Sequence, residues 1–121
     1  MKNKIKINVY EVVGSPLCVS SSDGEKVFKR VKGSLDENMP IILSFRNVST
    51  LTSAFLNTAI GQLYGSFDED TIRSLLEVEE MDSDDLSLLK RVVETAKKYF
   101  NEPGIFKESM RDLTGEDGDD L

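Results

Sequence analysis

Two hydroxyls, those of Thr52 and Ser53, stand where the segment Leu51-Thr52-Ser53-Ala54-Phe55-Leu56-Asn57 begins a run of apolar residues at helical spacing. Free backbone N–H groups and the positive end of a helix dipole favour an anion at such a place. The plainer role is a helix N-cap, which Ser and Thr fill wherever a helix starts. A hydrolytic role for Ser53 needs a base. The chain has no histidine, which removes the usual general base, the usual proton shuttle and the commonest transition-metal ligand together. Leu56 stands three residues after Ser53, where a Ser-x-x-Lys arrangement would need its lysine.

Other clusters resolve more simply. Ser20-Ser21-Ser22-Asp23-Gly24 has the look of a small anion-binding turn or phosphosite, but it lacks the lysine that follows the glycines of a phosphate-binding P-loop. Capping accounts for it, since Ser22 and Glu25 have the Ser-x-x-Glu spacing of a capping box. Asp68, Glu69 and Asp70, with Glu77, Glu79 and Glu80 nearby, lack the central Gly and terminal Glu of a calcium-binding EF-hand loop and read as solvated acidic surface. Cys18, the only cysteine, lies in an apolar run with no neighbouring cation to lower its pKa, so it reads as a small buried hydrophobe. No catalytic residue, no metal site and no cofactor are expected, and the chain is expected not to be an enzyme.

The elements that must position these residues follow from periodicity. Ile5, Ile7 and Val9 alternate with Lys4, Asn8 and Tyr10, which predicts a strand over residues 4–12. Gly14-Ser15-Pro16 is a turn signal, and Leu17-Cys18-Val19 is expected to pair back on the first strand as a hairpin. From the Ser22 capping box a helix carries Val27, Phe28, Val31 and Leu35 on one face, with Lys26, Lys29, Arg30 and Lys32 on the rest. Ile41-Ile42-Leu43-Ser44-Phe45 lacks alternation, as a central strand covered on both faces would. Phe55, Leu56, Ala59, Ile60 and Leu63 predict an amphipathic helix closed by Gly65 at its C′ position, with Asn57 exposed. Residues 72–78 suit a strand or, alternatively, a helix. Asp82 or Ser83 caps a last helix with Leu89, Val92, Val93, Ala96 and Phe100 as its stripe, stopped by Asn101-Glu102-Pro103-Gly104.

At 121 residues the chain has room for one core. Residues 1–102 are expected to form the domain and residues 103–121 an acidic, disordered tail. The formal charge is −7, and residues 101–121 hold seven Asp/Glu against Lys107 and Arg111, a net −5 that leaves −2 for the rest. Nucleic-acid binding rests on clustered Lys and Arg, so no nucleic acid is expected and a protein partner is the better expectation. No apolar stretch approaches the roughly 20 residues of a spanning helix and no signal-peptide block follows Met1. With one cysteine, a reducing cytoplasmic location is expected and no membrane association. The sequence leaves oligomeric state and strand order open.

The segment Pro40-Ile41-Ile42-Leu43-Ser44-Phe45, followed by Leu51-Thr52-Ser53-Ala54-Phe55-Leu56-Asn57 and supported by Gly61-Gln62-Leu63-Tyr64-Gly65, resembles the STAS-like domain family (DUF4325-type), distant relatives of the bacterial anti-sigma factor antagonists. The resemblance covers roughly residues 4–100. It implies an α/β fold with a mixed, mostly parallel four-stranded sheet packed against about three helices. It also implies a regulatory protein–protein interaction module, a partner-switching adaptor for an ATPase-like, anti-sigma kinase-like protein. In the antagonists the corresponding helix begins Asp-Ser-Ser/Thr-Gly and its first Ser is phosphorylated, which by position makes Ser53 the phosphoacceptor and Thr52, Ser53 and Asn57 the partner-binding residues. Here Thr52 replaces that Asp and Phe55 replaces that Gly. The alternative is a constitutive binding or inhibitor protein of phage or mobile-element type, with no phospho-switch and with the acidic tail as its lure for a basic partner.

Overall fold

The computed structural model describes residues 4–101, so the acidic segment 103–121 lies outside the described residues. Its elements in chain order are β1 (Ile5–Asn8), α1 (Val9–Val13), β2 (Leu17–Cys18), α2 (Ser21–Asp36), β3 (Ile41–Ser44), β4 (Thr50–Leu51), α3 (Ser53–Ala59), a 3-10 turn (Gly61–Gly65), α4 (Glu69–Leu75), β5 (Leu76–Glu79) and α5 (Ser83–Asn101).

The strands form two parallel sheets, one of three strands in the order β1-β3-β5 and one of two, β2-β4. The four-stranded mixed sheet expected from the sequence is therefore corrected to three plus two, with five α-helices in place of about three among the described residues. The first strand is also shorter than its alternation implied. After Asn8 the backbone turns into α1, where Val9 is fully buried, and Gly14 closes that helix at φ 82° with its N–H bonded to the Tyr10 carbonyl. A residue in the left-handed region suits glycine best. The helix therefore takes up residues 9–12, four of the nine that period-two patterning assigned to strand. No hairpin forms: β2 runs parallel to β4, Leu17 opposite Thr50 and Cys18 opposite Leu51. A two-residue strand inside a polar connection carries too little pattern to be read in advance.

β3 is the centre of the main sheet, as its apolar run implied, with Ile7, Leu43 and Val78 in register across the three strands. One face of this sheet is packed: Ile7, Ile41 and Leu43 are buried. The other is not closed by a helix. On it Lys4, just before β1, pairs with Glu77, and Lys6 in β1 pairs with Glu79 at 2.8 Å, both reaching across β3 to β5. Ile42 on this face stays half-buried whereas Ser44 is buried, so the expectation of cover on both faces holds only toward Ser44.

The helices stack on the closed face. α2 starts two residues earlier than the Ser22 box implied: Ser20 is the N-cap, its Oγ accepting from Asp23 N at 3.1 Å. Val27, Val31 and Leu35 point inward, and Gly24 lets α2 approach α3 so closely that a Cβ on it would lie 2.7 Å from the Phe55 carbonyl oxygen. The predicted helix through residue 65 divides at Ile60 into α3 and the 3-10 turn. Gly65 does not adopt the left-handed C′ conformation; the Phe100 ring occupies the space its side chain would take. Residues 69–79 are both of the predicted alternatives in succession, α4 and then β5. Asp82 caps α5 through Asp85 N at 2.9 Å, and Val92 and Ala96 bury its stripe.

Candidate functional site

The chain leaves β4 at Leu51 and enters α3 at Ser53, with Thr52 in extended conformation between them. Thr52 Oγ1 accepts from Phe55 N at 3.2 Å and donates to the Val19 carbonyl at 2.9 Å. One hydroxyl thus caps the helix and ties it to the segment after β2. The capping role that the sequence offered to either residue belongs to Thr52, and Ser53 is exposed, its hydroxyl making no hydrogen bond among the described residues.

Ser53 borders a surface depression of about 300 Å3 between the start of α3 and the middle of α5, completed by Asn57, Leu88, Arg91, Val92 and Thr95. The sequence brought Thr52, Ser53 and Asn57 together, and the fold keeps them adjacent. Asn57 is not exposed, however: at 4% it is buried, because α3 is enclosed on nearly every side from Phe55 onward. A seven-residue helix held between α2 and α5 has almost no outer face beyond its first turn. Arg91 and Thr95 escaped sequence reasoning. They sit on the polar side of α5, nearly forty residues from Ser53, and only the packing of α5 against α3 makes them neighbours. Arg91 is exposed and makes no ion pair among the described residues.

Chemically this depression offers hydroxyls, a carboxamide and one guanidinium, and no general base. The one thiol is elsewhere and unreactive: burial, reinforced by the Asp23 charge, pushes Cys18 up to about 11. The acidic residues do not converge on a metal site either, since no group of three His, Cys, Asp or Glu is placed to hold an ion among the described residues. Glu69 instead accepts from Lys97 at 2.8 Å and from Arg73 at 2.6 Å, and the Lys97 hydrogen bond holds its carboxyl below the usual range. Glu77 and Glu79 are the partners of the open sheet face.

The family model of the STAS-like domain of unknown function (DUF4325) matches residues 23–86, from the first turn of α2 to the first turn of α5. The chain belongs to this STAS-like family. No curated protein and no solved structure matches it. The matched span contains β3, β4 and α3 whole, so Thr52, Ser53 and Asn57 lie inside the STAS-like core, whereas β1, Arg91 and Thr95 lie outside it. Membership in a STAS-like family points to a regulatory or binding module and names no reaction. No helix of this STAS-like domain is long and apolar enough to cross a membrane among the described residues.

Proposed function

We propose that this chain is a partner-switching adaptor of the STAS-like type, whose contact face is the exposed start of α3 and whose partner is an ATPase-like, anti-sigma kinase-like protein. The observation that supports it best is the division of labour between adjacent hydroxyls. Thr52 alone carries the cap, so the helix does not need the Ser53 hydroxyl, which is left facing solvent. A serine with no structural task at the edge of a depression is available to a kinase and to a partner surface.

In this reading Ser53 is the phosphoacceptor, Thr52 holds it in place and Asn57 forms the floor of the depression instead of contacting the partner. A phosphoryl group on Ser53 brings about −1.5 to −2 charges at neutral pH. It repels an acidic partner surface and finds the Arg91 guanidinium across the depression. The chain itself performs no catalysis; the lack of histidine and the raised Cys18 thiol support this.

The test uses a purified ATPase-like, anti-sigma kinase-like protein as the candidate partner. Incubation with it and ATP should add one phosphate at Ser53, read by intact-mass and fragment spectrometry. A protein that binds this partner unmodified, with equal strength before and after ATP, would favour the constitutive binding or inhibitor function. Deleting residues 104–121 then asks whether the acidic segment is the binding element, since its loss should lower affinity at low salt.

A further inference from the structure

A second site lies on the flank of α5 turned away from Ser53. In that helix Leu88, Arg91, Val92 and Thr95 border the Ser53 depression, whereas Leu89, Val93 and Lys97, spaced four apart, share another flank. α5 packs on α3 and the 3-10 turn, and between it and the edge strand β5 opens a hollow of about 300 Å3. Its walls are aliphatic: Ile60 and Ile72 are buried, and Leu76, Val78, Leu89 and Val93 stay half-buried beside it. Leu76 and Val78 lie on the closed face of the sheet, in register with Ile41 and Leu43, where side chains normally pack to crystal-like density. A concave apolar wall with a few convergent polar groups is the form of a small-molecule site, and such sites begin at roughly 300 Å3.

The polar groups stand together at one end. Lys97 and Arg73 both reach the same oxygen of Glu69, at 2.8 and 2.6 Å. Asp70 approaches Arg73 only to 3.7 Å and is otherwise in solvent. An ammonium and a guanidinium carry far more N–H donors than one oxygen takes up, so this end of the hollow has donors and positive charge for a second carboxylate. Tyr64 adds a hydroxyl that makes no hydrogen bond among the described residues. Burial pushes that hydroxyl's pKa up, which keeps it a donor.

We propose that this hollow binds a medium-chain fatty acid. The aliphatic walls take its carbon chain, and the uncommitted donors of Lys97 and Arg73, with the Tyr64 hydroxyl, take its carboxylate. The site is separate from the Ser53 face and does not depend on it.

Amide and methyl shifts of the isotopically labelled chain, followed during titration with octanoate, octan-1-ol and acetate, test it. The expected result is saturable shifts at Tyr64, Val78, Leu89 and Val93 with octanoate, binding of octanol weaker by about tenfold or more, and none of acetate. Lys97→Met should weaken octanoate by about tenfold while leaving octanol unchanged, and Lys90→Met, on the exposed side of the same helix, should change neither. Val93→Phe, which sets a ring in the hollow, should abolish binding, with circular dichroism confirming the fold of each variant. No saturable shift with octanoate, equal affinity for octanol, or an unchanged response in Lys97→Met would overturn the proposal. So would nuclear Overhauser contacts from Ile105 or Phe106 to Val93 in the free chain, which would give the hollow to the chain's own later segment.

Discussion

Thr52 Oγ1 stands 2.9 Å from the Val19 carbonyl oxygen and donates to it, while accepting from Phe55 N at 3.2 Å. Through this one hydroxyl the start of α3 is fixed to the segment between β2 and α2. Ser53, next in sequence, has no such duty. Thr52→Val keeps the shape and removes both hydrogen bonds, so it should cost about 1–2 kcal/mol in chemical denaturation. Ser53→Ala should be nearly neutral by the same measurement. Equal losses from the two substitutions would show that the hydroxyls share the cap.

The contact between Gly24 and Phe55 makes a second test. A Cβ at residue 24 would lie 2.7 Å from the Phe55 carbonyl oxygen and 3.0 Å from Thr58 Cβ, both on α3 and unable to swing away. Gly24→Ala should therefore lower stability by about 1–3 kcal/mol by overpacking. Gly33, in the same helix, has nothing within 4 Å of where its Cβ would be, and Gly33→Ala should raise stability by about 0.5–1 kcal/mol. Thermal melts of the two variants should move in opposite directions.

Next to that contact, the Thr58 hydroxyl is buried with no hydrogen-bond partner among the described residues. A buried hydroxyl without a partner costs free energy that an isosteric methyl does not. Thr58→Val should raise stability by about 1 kcal/mol in urea denaturation. A loss of that size would mean the hydroxyl has a water partner.

Cys18 sets a pH signature. Burial first, and the Asp23 charge second, raise its thiol from 9.0 to about 11 in the folded chain. Between those two values the folded state holds a proton that the unfolded state has released. Stability from this group is therefore complete below pH 9 and is lost as pH rises through about 11. The stability difference between wild type and Cys18→Ala, in which nothing titrates at this position, should change in that window and be flat below it. Iodoacetamide should label the folded chain only slowly at neutral pH.

How much of this was legible in the sequence depended on length and locality. The long amphipathic helices α2 and α5 announced themselves, because Val27, Val31 and Leu35, or Val92 and Ala96, repeat the inward stripe often enough to decide the period. β3 was legible from its unbroken apolar run. The two-residue strands β2 and β4 were not, since pairing of Cys18 with Leu51 joins residues 33 apart and leaves no local pattern. Val9 fitted the alternation of a strand equally well as the first buried residue of α1, and only Gly14 at the end of that helix distinguishes the two. At the site, Thr52 and Ser53 could be found from helix-start chemistry, but which one caps depends on the Val19 carbonyl, supplied by a distant segment. Asn57 departs from its expected exposure for a related reason: exposure on a short helix is set by the neighbours on either side, and α2 and α5 together leave it almost none. Arg91 carried no signal until α5 was docked.

The central claim is that the free Ser53 hydroxyl is the switch of a partner-binding face. Its most direct test is the affinity of the candidate ATPase-like partner for wild type, Ser53→Ala and Ser53→Asp, measured by calorimetry without ATP and again after incubation with ATP. The account predicts that wild type and Ser53→Ala bind alike at first, that ATP weakens only the wild type, and that Ser53→Asp binds weakly throughout while melting like the wild type, because a carboxylate at that exposed position is tolerated by the fold. Full-strength binding by Ser53→Asp, together with no phosphate on the wild type after ATP, would contradict it.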